Sequence, residues 1–237
     1  MKTIQGELKA LGNKERALFM ARYFKTGNGE YGEGDKFLGL TVSQQRVIAK
    51  KYKDLSLKDI EQLLHSTIHE YRLTALLILV LQFEKANVVN QKNIVDLYLA
   101  NTKRINNWDL VDLSAPRILG NYLLDKSKER KLLYKFAVSN NIWERRIAVL
   151  ATFIFIKQKD FLDSFAIAEM LLHDPNDLIH KSVGWCLREI GKINQKAEEQ
   201  FLQKYYKTMP RTCLRYAIEK FSPERRGKYL GAKNHNI

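Results

Sequence analysis

Cysteine and proline are scarce in this chain of 237 residues, with two of the first and four of the second. Cys186 and Cys213 are too few for a disulfide framework or a zinc site, which sets aside small secreted scaffolds and points to a reducing compartment, the cytoplasm. Long apolar runs are missing too. The longest, Ala75 to Leu81, falls far short of the roughly 20 residues that cross a bilayer. Met1 to Leu18 mixes Lys, Glu, Gln and Arg instead of forming a charged-then-apolar leader, so the expectation is neither secretion nor embedding. Acidic residues are in deficit as well, 26 against 40 Lys and Arg, for a formal net charge of +14. That balance exceeds what solubility needs and points to a polyanionic partner, most often nucleic acid; an inert basic surface is the alternative.

Familiar catalytic patterns are absent. No G-x-S-x-G elbow occurs, and neither cysteine has a nearby histidine to activate it. His65 and His69 stand four apart on what reads as one helix face, but no Glu follows His65 as in H-E-x-x-H, so they read as helix-surface histidines rather than metal ligands. The segment Thr26 to Asp35 packs four glycines into ten residues and must be a loop. It is no phosphate cradle, since no Gly-Lys-Ser/Thr follows and Glu30, Glu33 and Asp35 would repel phosphate. Contact with DNA through its backbone N–H groups or Tyr31 is left open.

What is present is helical periodicity. Leu73, Leu76, Leu77, Val80 and Leu81 recur at helical spacing, with no strand pattern to compete. Caps and turns punctuate the chain: Ser56 before Leu57, Asp174-Pro175-Asn176-Asp177, and Ser222-Pro223-Glu224, the last starting a helix with proline in its first turn. Small or β-branched residues at Ala75, Val111, Ala148, Gly184 and Ala217 follow one another at 36, 37, 36 and 33 residues. A period near forty with two helices per unit predicts an all-α solenoid of the HEAT-like or armadillo-like kind, with a helical bundle of coincidental spacing as the alternative. The expected layout is one repeat domain over 1–237: an N-terminal helical segment with the glycine-rich loop over 1–40, the repeat array over 41–221, and a tail over 222–237. One helix of each pair should line a basic concave face, carrying Arg72, Lys103, Arg104, Arg145, Arg146, Lys181, Arg188, Arg211 and Arg215 toward phosphates.

Within that frame Asn106-Asn107-Trp108-Asp109-Leu110-Val111-Asp112 stands out, because Trp108 and Asp112 share a helix face. A carboxylate beside an indole needs a partner or a task. Arg146 and Trp185 fall at nearly equivalent repeat positions, which predicts two tryptophans, an acid and an arginine gathered in a basic groove. Each also has an ordinary explanation: Trp185 as core, Arg146 as a phosphate clamp, Asp112 as a structural ion-pair partner. An acid in a DNA groove makes chemical sense where positive charge develops. Breaking an N-glycosidic bond builds oxocarbenium character on the deoxyribose, which a carboxylate stabilises, and the same group can orient water. A base made cationic by N3 or N7 alkylation leaves neutral and needs no general acid, and indole faces attract the positive charge.

The strings Met20-Ala21-Arg22-Tyr23, Phe37-Leu38-Gly39-Leu40, Trp108-Asp109-Leu110-Val111-Asp112, Asn141-Ile142-Trp143 with Arg146, and Lys181 to Glu189 resemble, in order, the AlkD-type DNA alkylation-repair glycosylases. The likeness runs from about Met20 to Phe221. It implies a HEAT-like solenoid that excises N3- and N7-alkylpurines from double-stranded DNA without metal or cofactor and without the usual base flipping; an asymmetric groove wrapping a duplex suggests a monomer. The family's site pattern falls on Asp112, Trp108 and Trp185 as catalytic residues and on Arg146 and Tyr23 as DNA contacts, to which Arg188, Arg72 and Lys181 are added as basic neighbours. Two features depart from the pattern: the long glycine-rich insertion, and Asn107 in place of the first of two paired tryptophans. Two rival readings remain, a DNA-structure-binding solenoid without chemistry and a protein-binding HEAT scaffold.

Overall fold

Polar caps set the helix starts. In a computed structural model describing residues 3–231, the side chains of Thr3, Asn13, Thr41, Ser56, Asn87, Asn176 and Asn194 each accept a hydrogen bond from a backbone N–H in the first turn that follows. Thr41 and Gln44 complete a reciprocal capping box. The described residues are helical, with a single isolated bridge between Lys36 and Ile68. They fall into two compact units, Met1–Tyr122 and Leu123–Ile237.

The first unit holds α1 (Ile4–Ala10), α2 (Lys14–Tyr23), α3 (Val42–Lys51), α4 (Leu57–Leu64), α5 (His69–Phe83), α6 (Val88–Ala100) and α7 (Trp108–Ser114). Its centre is α5, which packs against α1, α3, α4, α6 and α7 and is buried at nearly every residue. Each fully buried leucine there, such as Leu76 or Leu79, contributes about 1.5–3 kcal/mol relative to exposure. Surrounded this way, the charged groups of its first turn, His69, Glu70 and Arg72, must all find partners inside the protein. After α7 the helix cannot continue its regular ladder through Pro116, which lacks an N–H. The chain slips into a π turn over Pro116–Gly120, closed by Gly120 N–H to the Ala115 carbonyl at 2.9 Å, and runs on through the single turn α8 (Asn121–Leu123).

The second unit contains α9 (Lys131–Ala137), α10 (Ile142–Ala151), α11 (Phe153–Lys157), α12 (Leu162–Met170), α13 (Asp177–Ile193), α14 (Gln195–Tyr205), α15 (Arg211–Ala217) and α16 (Pro223–Gly231). Here α13 is central, packed on α10, α11, α12, α14 and α15. The pairs α9/α10 and α12/α13, with α10 against α13 and α13 against α15, reproduce the stacking of helix-pair repeats. Ala75, Val111, Ala148, Gly184 and Ala217, the residues that mark the period, are all buried. Gly184 shows why a small residue is needed: a β-carbon there would lie 2.4 Å from the Cys213 carbonyl oxygen and 2.6 Å from the Tyr216 β-carbon. Only glycine lets α13 and α15 approach so closely.

His65 and His69 do not share a helix face. His65 ends α4 and bonds Asn101 through Nε2 at 2.8 Å, whereas His69 opens α5 after a break at Ser66 to Ile68 and is fully buried. Burial of the first turn of α5 overrides the surface position that spacing suggested.

Candidate functional site

The glycine-rich segment turns back on itself through its own acids. Glu30 Oε2 accepts from Gly27 N–H at 2.8 Å and Glu33 Oε2 from Gly29 N–H at 2.9 Å, so these two backbone donors are engaged within the loop. The following Phe37-Leu38-Gly39-Leu40 string is held from inside. The buried Glu70 carboxylate accepts from the N–H groups of Leu38 (2.9 Å), Gly39 (2.7 Å) and Leu40 (3.2 Å). Gly39 has φ +83°, and a β-carbon there would sit 2.2 Å from the Asn13 carbonyl oxygen, so the close approach of this strand-like segment to α2 requires glycine.

The Asp35 carboxylate, at the end of the loop, is turned inward rather than presented to solvent. It takes both of its oxygens to Arg72 Nη2 at 2.7 Å and one to His69 Nδ1 at 3.0 Å. On the other side of the imidazole, Nε2 lies 2.8 Å from Asp109 Oδ2. An imidazole facing carboxylates through both nitrogens satisfies both only when doubly protonated. Burial opposes that charge, but the field and hydrogen bond of Asp109, with the hydrogen bond of Asp35, outweigh it and raise the His69 pKa to about 9. Asp35 in turn is held below its usual range: burial would raise it, but the His69 hydrogen bond and the Arg72 charge prevail.

An aromatic cluster surrounds this network. Phe37 and Phe24 lie against the His69 ring at 4.7 and 5.0 Å between centroids. Phe24 stacks on Trp108 at 5.1 Å and 16°, and Tyr23 meets Trp108 edge-on at 5.9 Å. The indole is thus fixed by α2, by the loop that follows it and, through Asp109, by α5. Trp108 and Asp112 sit one turn apart on α7, both half-buried, and the Asp112 charge is felt by the buried Tyr98 hydroxyl, which bonds Ser114. Asn107 is the cap of α7, its Oδ1 accepting from Trp108 N–H at 2.9 Å.

Arg146 and Trp185 belong to the second unit. Arg146 is 5% exposed, and its Nη1 donates to the Leu178 carbonyl at 2.7 Å. Trp185 is half-buried; its Nε1 donates to Glu189 at 2.8 Å and its ring meets Phe153 edge-on at 4.9 Å. Lys181 pairs with Asp177 at 2.5 Å, and Arg188 with Glu219. Arg145 is engaged by Asp174 at 2.6 Å and Arg211 by the Leu230 carbonyl at 2.9 Å, whereas Lys103 and Arg104 are exposed. Arg72, expected at phosphates, is 2% exposed and directed at Asp35 and the Ser66 carbonyl, a placement that ties down the loop.

Sequence reasoning missed the roles of His69, Asp35, Asp109, Phe24, Phe37 and Glu70 in this network. The available signal was three ionisable residues at the head of an apolar run too continuous to have a solvent face. Charges in such a helix must be internally paired.

Residues 4–221 match the model of the DNA alkylation repair enzyme family, and the chain belongs to that family. Among solved structures it is similar to a predicted DNA alkylation repair enzyme from Enterococcus faecalis, with TM-score 0.69 and 17% identity over 90% of this chain and 97% of that one. At that identity the likeness concerns the fold. No curated protein matches the sequence.

Proposed function

We propose that the chain is a monofunctional DNA glycosylase that hydrolyses the N-glycosidic bond of cationic N3- and N7-alkylpurines in double-stranded DNA, as a monomer acting in cytoplasmic base excision repair. The observation that carries this reading is the pairing of Trp108 and Asp112 one turn apart on α7, with the indole braced by Phe24 and Tyr23. As the bond from C1′ to the purine nitrogen lengthens, its electron pair goes to the base, which leaves neutral, and positive charge grows on the sugar. Asp112 stabilises that charge more than it stabilises the ground state and orients the water that adds to C1′. The water proton not retained by the new hydroxyl passes to Asp112 or to solvent.

In the same reading Trp108 and Trp185 pack on the lesion nucleotide, and Arg146, anchored by the Leu178 carbonyl, binds a backbone phosphate. Tyr23, Arg188 and Lys181 contact the flanking DNA, with phosphate competing for the cations now paired with Glu219 and Asp177. Arg72 acts indirectly, through the loop. Release of 7-methylguanine and 3-methyladenine from methylated duplex, compared between wild type and Asp112→Asn, tests the reading. Release should fall by orders of magnitude in the variant. A wild-type protein that binds the duplex yet releases no base would instead support the non-catalytic DNA-binding alternative.

A further inference from the structure

Helix α2 has no buried residue along its ten positions. Half of its circumference faces solvent and carries Lys14, Leu18, Arg22, Glu15, Phe19 and Tyr23 in angular order. Three of these are large and apolar: Leu18 is 66% exposed, Phe19 65% and Tyr23 56%. Phe19 and Tyr23, one turn apart, lie nearly parallel, with centroids 6.0 Å apart and 14° between planes. Tyr23 then meets Trp108, so an aromatic series runs from the solvent-facing Phe19 to the indole assigned to the lesion.

Exposed rings of this kind normally mark an interaction surface. Their neighbours indicate which one. Arg22 stands three residues beyond Phe19 and Lys14 opens the helix, while Glu15 is the single acid on this face and lies in the first turn, where it suits the helix dipole. Planar rings flanked by cations, on a chain of net charge +14, match unstacked nucleobases with their phosphates better than they match an apolar protein surface.

We propose that the α2 face is a stacking platform for an unpaired DNA base beside the lesion, with Phe19 as its outer ring, Tyr23 as the link to Trp108, and Arg22 and Lys14 at the adjoining phosphates. This rests on the glycosylase reading for the position of the lesion, but not for the chemistry. Such a platform favours DNA whose stack is already broken, because the unstacking energy has already been spent there.

The test uses the full chain and two DNA probes, a duplex with one bulged 2-aminopurine and the same duplex fully paired. Stacking quenches 2-aminopurine emission, so wild type should quench the bulged probe and bind it more tightly than the paired one. Phe19→Ala should abolish the quench and reduce the bulged-to-paired affinity ratio by roughly tenfold, while Phe19→Trp restores both. The melting temperature should not move, since the ring is two-thirds exposed. An unchanged ratio in Phe19→Ala, or an equal loss on both probes, overturns the proposal. So does a concentration-dependent dimer that Phe19→Ala dissolves, which would make the face a contact between copies. Absence of 7-methylguanine release from wild type with the quench intact would overturn the glycosylase reading alone.

Discussion

His69 Nε2 lies 2.8 Å from Asp109 Oδ2, one residue along the chain from Trp108, while its Nδ1 reaches Asp35 at the end of the glycine-rich loop. One buried cation therefore joins the loop to the first turn of α7. With a folded-state pKa of about 9 against an ordinary value of 6.5, its stabilising contribution is complete below pH 6.5 and is lost as pH rises through about 9. Asp35, shifted down, contributes above its ordinary 3.8 and loses that contribution as pH falls through its lower folded value. Melting temperatures of wild type and His69→Gln, followed from pH 6 to 10, should differ most at the acid end and converge above about pH 9. A constant difference across that range would rule out a charged His69.

Arg72 gives a second prediction, because its guanidinium faces Asp35 rather than solvent. Arg72→Met leaves two buried carboxylates with His69 as their remaining cation. Unfolding in urea should show a loss on the order of 3–5 kcal/mol, the range for breaking a buried pair. The salt dependence of DNA binding should be unchanged. A shallower salt slope in this variant would return Arg72 to the phosphate contacts.

Gly184→Ala tests the helix approach that carries the neighbouring Trp185. The added methyl collides with the Cys213 carbonyl, which is backbone and cannot swing aside. Destabilisation of about 1–3 kcal/mol is expected from overpacking. The added cost of moving α15 should also show as altered Trp185 emission. A variant as stable as wild type would mean that α13 and α15 separate freely.

The proposed DNA contacts predict a linear fall of log affinity with log salt. The slope should be near −0.9 per phosphate neutralised, and several units in total if the exposed Lys103 and Arg104 join Lys181 and Arg188. Affinity that ignores salt would remove DNA as the principal partner and favour a protein-binding scaffold.

Asp112→Asn separates a catalytic acid from a structural one by which observable moves. If Asp112 is the catalytic acid of a phosphate-binding surface, removing its charge should leave affinity for undamaged duplex equal or higher, with melting nearly unchanged and excision lost. Loss of stability by roughly 3–5 kcal/mol, with activity falling only as far as the folded fraction falls, would identify a structural ion-pair partner instead.

The sequence by itself determined the helical class, the near-forty-residue period and its small-residue positions, because helix periodicity and caps are local and steric fit between successive helices leaves a regular mark. Trp108 and Asp112 were legible for the same reason, since four residues apart on a helix means one face. The family's strings Phe37 to Leu40 and Lys181 to Glu189 were legible as patterns, but their physical reasons were not. Only tertiary structure decided that Gly39 and Gly184 answer to distant carbonyls, that Glu70 holds a loop by its backbone, and that His69 leaves the surface for a carboxylate pair. It also turned Arg72 inward onto Asp35, away from the phosphate role its charge suggested. Charge counts identify which groups need partners, but burial decides whether those partners are water, nucleic acid or the protein, and burial depends on residues 30 to 40 positions away in the chain.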